Sequence, residues 1–253
     1  TARHVGTLDT TKYLLDTADY AGNIITFENK IKLVFSGLQV RQGEENADIR
    51  VFIGNPMADD ANIFIENCII LKNSGTGTSR RAILAASGGG AQNPTLTIVN
   101  NLIYNFNSTG DRAVSLSATG APVLLIYNNT VADNTTGFLG GGADATYKNN
   151  IAQGTGTNYS IASANTNGFN ISEDTTSLDV AYTSFVVTFA NEAGDNFTIT
   201  TANTTVDDGA NLSLDTGYSF TVDAGYNTRS DWYMGFWEGP AAATAAAARW
   251  VIG

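Results

Sequence analysis

The chain has 253 residues, 43% of them hydrophobic and 15% charged, with 26 glycines, a composition that excludes wholesale disorder and favours strands and turns over exposed helices. The formal net charge is −11 with only 13 Lys and Arg, so a phosphate backbone would meet a repelling surface and nucleic acid is not an expected partner. The single cysteine, Cys68, excludes a disulfide framework and a cysteine-built zinc site, and no run approaches the roughly 20 apolar residues of a membrane helix.

The opening Thr1-Ala2-Arg3-His4 has neither an initiator Met nor a signal-peptide apolar run, so the chain is expected to be trimmed or matured. Residues 12–27, with Tyr13, Leu15, Ile24 and Phe27, are expected to form an early rung or a cap. From Leu33 onward the sequence repeats. Five segments align without gaps, beginning at Leu33, Ile63, Leu96, Leu124 and Ala145, with starts 30, 33, 28 and 21 residues apart. Such variable spacing suits the coils of a parallel β-helix and is too irregular for a leucine-rich or propeller repeat.

Each column of the alignment has a physical role. The first (Leu33, Ile63, Leu96, Leu124, Ala145) and third (Phe35, Ile65, Ile98, Ile126, Tyr147) are apolar, and the columns between them are mixed. This is the period of two expected of a strand with columns one and three inside. The fifth column holds Gly37, Asn67, Asn100, Asn128 and Asn149, the residue types that best tolerate positive φ, so a sharp bend is expected there. After the bend the alternation resets, and the eighth column (Val40, Ile70, Ile103, Val131, Ala152) becomes the inward one. The sixth column contains Asn101, Asn129 and Asn150, which can stack as a hydrogen-bonded amide ladder.

A further strand per rung is expected around 49–54, 82–86 and 113–117, with Gly-, Ser- and Asn-rich loops between, as at Ser87-Gly88-Gly89-Gly90. Five rungs at about 4.8 Å each give a stack roughly 24 Å tall. The expected class is all-β, a right-handed parallel β-helix over residues 1–168. Residues 169–239 are expected to be a β-rich region that covers the open end of the stack, since an uncovered end exposes unpaired strand edges. Residues 240–253 form an Ala-rich tail, with Pro240 placed for the first turn of a short helix.

The segments Ile65-Glu66-Asn67-Cys68-Ile69-Ile70, Asn100-Asn101-Leu102-Ile103-Tyr104-Asn105 and Tyr127-Asn128-Asn129-Thr130-Val131 resemble the right-handed, pectate-lyase-like β-helix proteins. These occur among polysaccharide-active enzymes, bacterial surface proteins and phage structural proteins. The stretch Arg229-Ser230-Asp231-Trp232-Tyr233-Met234-Gly235-Phe236-Trp237-Glu238 resembles a closing segment found in many of them, uncharacterised phage proteins included. Arg229, Gly235, Trp237 and Glu238 agree with that segment, whereas Tyr233 and Phe236 depart from it. The resemblance implies a non-enzymatic structural or adhesive component of a phage virion (tail, fibre or capsid surface), located on the virion or otherwise extracellular, with polysaccharide as the ligand class to test. Its expected partners are other virion or surface chains, with a homotrimer as the free-standing oligomer. No cofactor or metal is expected.

The alternative is a secreted glycoside hydrolase or polysaccharide lyase. His4, the only histidine, lies at the terminus and leaves no material for a triad, so the chemistry would fall to loop carboxylates. Glu44, Glu45 and Asp48 share one loop and Asp144 lies on a late rung; the candidates retained are Asp59, Asp60, Asp111 and Asp133. The plainer role for such Asp residues is turn formation. Arg81 and Arg112 fall at similar places on neighbouring rungs, where they can grip the carboxylates or sulfates of an acidic glycan or form ordinary ion pairs with Asp. The outer stripe of Phe64, Val99, Leu125 and Tyr127 is too apolar to leave in water and is expected to be an interface, covered by other chains or by a terminal segment of the same chain. The aromatic group of Trp232, Tyr233, Phe236 and Trp237 is expected to be buried against the solenoid or to stack on sugars.

Overall fold

A computed structural model describes residues 14–17, 24–27, 32–43, 50–54, 61–73, 78–87, 94–118, 123–141, 145–154, 156–161, 166–200, 206, 208–216, 218–223, 229 and 232–236. Among them the chain forms a parallel β-helix with three strands per full rung. The strands before the bend, Lys32–Ser36, Asn62–Glu66, Thr95–Val99, Val123–Tyr127, Ala145–Lys148 and Thr166–Gly168, stack into one parallel sheet. The strands after it make a second sheet: Leu14–Thr17, Gln39–Gln42, Ile69–Lys72, Leu102–Tyr104, Thr130–Ala132, Ile151–Gln153 and Ile171–Ser172. The third sheet stacks Ile25–Phe27, Arg50–Gly54, Arg81–Ser87, Arg112–Ala118, Thr136–Gly141 and Thr157–Ser160. Residues 14–27 thus supply two strands of an early rung.

The register puts like on like. Leu33, Ile63, Leu96, Leu124 and Ala145 are Cα partners in succession, as are Phe35, Ile65, Ile98, Ile126 and Tyr147. Both columns enter one core with Val40, Ile70, Ile103, Val131 and Ala152 from the second sheet. Each such aliphatic side chain contributes about 1.5–3 kcal/mol on burial, so a one-residue slip on any rung would move its apolar set outside.

At the bend, Gly37 has φ 71°, and Asn67, Asn100, Asn128 and Asn149 have φ 55°, 54°, 53° and 56°. The left-handed residue turns the chain without breaking the ladder. The N–H of Asn100 still donates to the carbonyl of Tyr127 on the next rung (3.1 Å), and that of Asn128 to Lys148 (3.0 Å).

The amides of the sixth column stack beneath the bend. The Nδ2 of Asn101 donates to the Oδ1 of Asn129 (3.0 Å), that of Asn129 to Asn150 (3.0 Å), and that of Asn150 to Asn170 (2.9 Å). Each Oδ1 also accepts the backbone N–H of the preceding ladder residue. These side chains are fully buried, and the stack satisfies amides that would otherwise be costly to desolvate.

Two features differ from the expectation for residues 169–239. The stack continues past Gly168 by one more bend, in which Phe169 (φ 58°) takes the turn position, Asn170 extends the ladder and Ile171–Ser172 adds the last strand of the second sheet. An aromatic residue is a poor candidate for left-handed backbone, which hides this rung from propensity. Its N–H donates to Asp179 (3.2 Å), and the Asn170 amide holds the carbonyls of Tyr147 and Gly168.

Among the described residues, a short segment closes the end of the stack. The carboxylate of Asp174 accepts from the N–H of Asn158 (3.0 Å), the hydroxyl of Thr176 accepts from that of Tyr159 (2.9 Å), and Leu178 packs on the core. The described residues between 185 and 236 instead run along the flanks. Val187, Phe189, Phe197, Ile199, Val206, Met234 and Phe236 bury the outward residues of the second sheet, among them Ile69, Leu71, Leu102, Tyr104 and Ile151. Those outward residues are apolar and cannot be left in water at about 25 cal/mol per Å². The Ala-rich tail at 240–253 lies outside the described residues.

Candidate functional site

The stripe of the first sheet is covered by the same chain. Val99, Leu125 and Tyr127 are buried under Leu212 and Trp232, with Ala210, Tyr218 and Phe220 packed alongside, and the ring of Phe64 lies 5.6 Å from that of Tyr218. Arg229 clasps this cover. Its guanidinium donates to Asn100 Oδ1 (3.2 Å) and to the carbonyls of Tyr233 (3.1 Å) and Gly235 (3.3 Å), and it lies over the rings of Phe220 and Trp232. Asp215 pins the segment further along, taking the ammonium of Lys148 and the hydroxyl of Tyr127 (3.2 Å). The bend asparagines are drawn in as well: Asn149 donates to the carbonyl of Ala210 (2.8 Å) and accepts its N–H (2.8 Å).

Of the carboxylates singled out in the sequence, Asp111 is fully buried and committed to structure. Its Oδ2 receives the ammonium of Lys72 at 2.6 Å, and its Oδ1 accepts the N–H of Arg80 at 2.8 Å. Lys72 is itself fully buried, and it also donates to Ser108 Oγ (2.6 Å). A carboxylate so enclosed has no approach for a substrate, and Asp111 is corrected from catalytic candidate to structural anchor. Asp59 and Asp60 lie outside the described residues, as do Glu44, Glu45, Asp48, Asp144, His4, Trp237 and Glu238.

Asp133 is different. It occupies a second turn of its rung at φ 49°, in register with Asn105 (φ 67°) one rung earlier, and opens into a cleft of about 640 Å³. The solenoid wall of the cleft is Asn105, Asp133, Gln153 and Gly154, joined by Glu173 from the end segment. The opposite wall is the turn of the antiparallel hairpin formed by Phe189–Asn191 and Asn196–Ile199, which brings Glu192, Asp195 and Phe197.

Four carboxylates therefore face one space whose lining contains no Lys or Arg. Partial burial, reinforced by Asp133 and Glu173 across the cleft, pushes the Glu192 carboxyl above its ordinary value, and partial burial does the same to Asp195. Asp133 accepts from Asn107 Nδ2 (2.9 Å), and Glu173 from the N–H of Gly154 (2.8 Å). A carboxyl with a raised value, as at Glu192, is suited to donating a proton to a leaving oxygen, and a second carboxyl group of the same cleft to activating water. The same carboxylates and amides can also hold sugar hydroxyls by accepting their protons.

Arg81 and Arg112 are direct Cα partners in the third sheet. Sequence reasoning missed Arg50, which pairs with Arg81 one rung earlier, although Arg50-Val51-Phe52, Arg81-Ala82-Ile83 and Arg112-Ala113-Val114 repeat one pattern. It also missed Glu173, Glu192 and Asp195, and there no local signal exists, because the tail brings them to Asp133 from 40–62 residues away. Among the described residues, no three His, Cys, Asp or Glu are grouped to hold a metal ion, and no helix is long and apolar enough to cross a membrane. No protein-family model, curated protein or solved structure matches the chain.

Proposed function

We propose that the protein is a structural or adhesive β-helix of a phage virion, in the tail, fibre or capsid surface, which contacts host glycans through a lateral face. The observation that carries this function is the way polar and apolar groups of the solenoid are spent internally. The Asn ladder runs through the rungs from Asn101 to Asn170, the Lys72–Asp111 pair is sealed, and the tail covers the flanks of two sheets. Such a stack resists local opening. The closing segment supports the phage resemblance by acting as a clasp, with Arg229 tying residues 232–236 to the bend at Asn100.

Other virion chains and a homotrimer are the partners that accompany this proposal. With the flanks of two sheets covered by the chain's own tail, such neighbours would meet the third sheet or the C-terminal end, where Phe169 and Val180 are exposed. A panel of acidic and neutral polysaccharides offered to the purified protein tests the proposal. Binding without release of reducing ends is expected, and robust depolymerisation would overturn it.

Glycoside hydrolysis is the alternative, and one observation favours it: the raised Glu192 carboxyl facing Asp133 and Glu173 in the cleft. In that case Glu192 is the acid, and Glu192→Gln abolishes reducing-end release while leaving glycan binding in place.

A further inference from the structure

We propose that Lys72 and Asp111 are the two halves of a self-forming covalent cross-link, an amide between Lys72 Nζ and the side-chain carboxyl of Asp111 that staples neighbouring rungs of the solenoid. This modification goes beyond the function proposed above and does not depend on it. Lys72 ends the strand Ile69–Lys72, and Asp111 immediately precedes the strand Arg112–Ala118, so the amide closes a loop between residues 39 positions apart. Both side chains are wholly excluded from solvent.

The groups around the pair hold it in place for reaction. Nζ lies 2.6 Å from Asp111 Oδ2, and Cγ is one carbon–oxygen bond of about 1.2 Å from that oxygen, which puts the amine within about 3.8 Å of the carbon it attacks. Reacting atoms in a near-attack geometry are about 3–3.5 Å apart, so rotation about the end of the Lys72 side chain suffices. The electrophile is fixed from the other side. Its Oδ1 accepts the N–H of Arg80 (2.8 Å) and its Oδ2 that of Ser108 (3.1 Å), while the Asp111 N–H closes the turn onto the Ser108 carbonyl (2.9 Å).

The condensation uses these groups alone. A proton passes from Nζ to Oδ2 along their hydrogen bond, leaving an amine and a carboxylic acid and removing two charges that are costly to keep out of water. The nitrogen lone pair then forms the N–C bond to Cγ, and the electron pair of the C=O bond moves onto Oδ1, where the Arg80 N–H stabilises it. Ser108 Oγ, 2.6 Å from Nζ, takes the surplus proton from the nitrogen and passes it to the Oδ2 hydroxyl. The Cγ–Oδ2 bond breaks, Oδ2 departs as water and the double bond to Oδ1 is restored. Ammonium and carboxylate have become amide and water, and no oxidant, reductant or co-reactant enters. Hydrolysis would have to regenerate both charges in a solvent-excluded site, which favours the amide. Lys148 and Asp215 also pair, but Lys148 is 25% exposed, so water solvates its ammonium and the same drive is missing there.

The mass of the full chain, measured after denaturation and again after prolonged incubation of the folded protein at neutral pH, tests the cross-link. The expected mass is one water below that of the sequence. Trypsin should fail at Lys72 and release residues 51–80 joined to residues 82–112, while cleavage at Lys148 stays normal. Lys72→Arg keeps the charge without the amine nucleophile and should have the full sequence mass. On a denaturing gel the wild-type chain should run ahead of it, because its loop is closed.

The full sequence mass in the incubated wild-type chain would overturn the proposal. So would a loss of water that persists in Lys72→Arg or maps outside the two peptides, the mark of an aspartyl imide such as Asp208-Gly209 can form. The peptide map reads the wild-type chain directly and decides the question even if Lys72→Arg does not fold.

Discussion

Replacing Asn129 by Leu removes the centre of the amide ladder at nearly constant volume. The Asn129 side chain is fully buried and donates to the carbonyls of Ile98 (2.9 Å) and Tyr127 (3.1 Å) and to Asn150 Oδ1 (3.0 Å). Its Oδ1 accepts both the backbone N–H and the Nδ2 of Asn101 (3.0 Å each). Without it the Asn101 N–H loses this acceptor inside the core, while the Tyr127 carbonyl keeps the N–H of Asn100 and the Asn101 amide keeps Ile65. A buried N–H without an acceptor costs about 1–3 kcal/mol and each further lost bond about 0.5–1.5 kcal/mol, so the variant should be roughly 3–5 kcal/mol less stable. At about 2–4 °C per kcal/mol for a chain of this size, the midpoint should fall by roughly 6–20 °C. Guanidinium denaturation followed by circular dichroism measures the loss. Asn107→Leu, at an exposed site, should change stability by under about 0.5 kcal/mol. A loss in Asn129→Leu no larger than in that control would show that the ladder contributes nothing net.

The thiol of Cys68 stands where the next ladder amide belongs, with Sγ 3.7 Å from the carbonyl of Phe35 and 3.2 Å from that of Glu66, the counterparts of Ile98 and Tyr127. Cys68→Asn should therefore extend the ladder by a rung and stabilise by about 1 kcal/mol, read in the same denaturation assay against Cys68→Ser. Asp111→Ala leaves the Lys72 ammonium buried without its counter-ion and should cost about 3–5 kcal/mol, of which an Asp111→Ala/Lys72→Met double variant should recover only a part, because the N–H groups of Arg80 and Ser108 still lack this acceptor. Because the folded-state value of Glu192 is raised, the folded chain holds that proton more tightly than the unfolded one. The penalty is full at neutral pH and is relieved as pH falls through the folded value. Glu192→Gln should accordingly raise the melting temperature at pH 7, with the difference shrinking towards acid, as followed by melting across a pH series.

The candidate sites divide according to how far apart in the chain their residues lie. Arg81 and Arg112 were legible because rung-to-rung register follows from the same columns that define the strands, and Arg50 was legible in principle by the same repeat. The cleft was not, because Asp133 belongs to a rung turn while Glu192 and Asp195 arrive on a hairpin of the tail. Asp111 looked like any other loop carboxylate until its pairing with Lys72, 39 residues earlier, was seen.

By itself the sequence determined the solenoid. Period-two columns place Ile63, Ile65, Leu96 and Ile98 inside, Asn or Gly supplies the left-handed bend, and an Asn next to it can satisfy its own amide only by stacking on another rung. These are short-range rules, and repetition makes each rung confirm the last. Only the tertiary structure decided what covers the stack, because an apolar outer column such as Val99, Leu125 and Tyr127 states that it needs burial without naming its cover. The contact between Arg229 and Asn100 joins residues 129 positions apart, and no local pattern encodes a partner at that distance. The same holds for the last rung, where Phe169 adopts the bend because Asn150, Asn170 and Asp179 already hold their hydrogen bonds around it, against its own backbone preference.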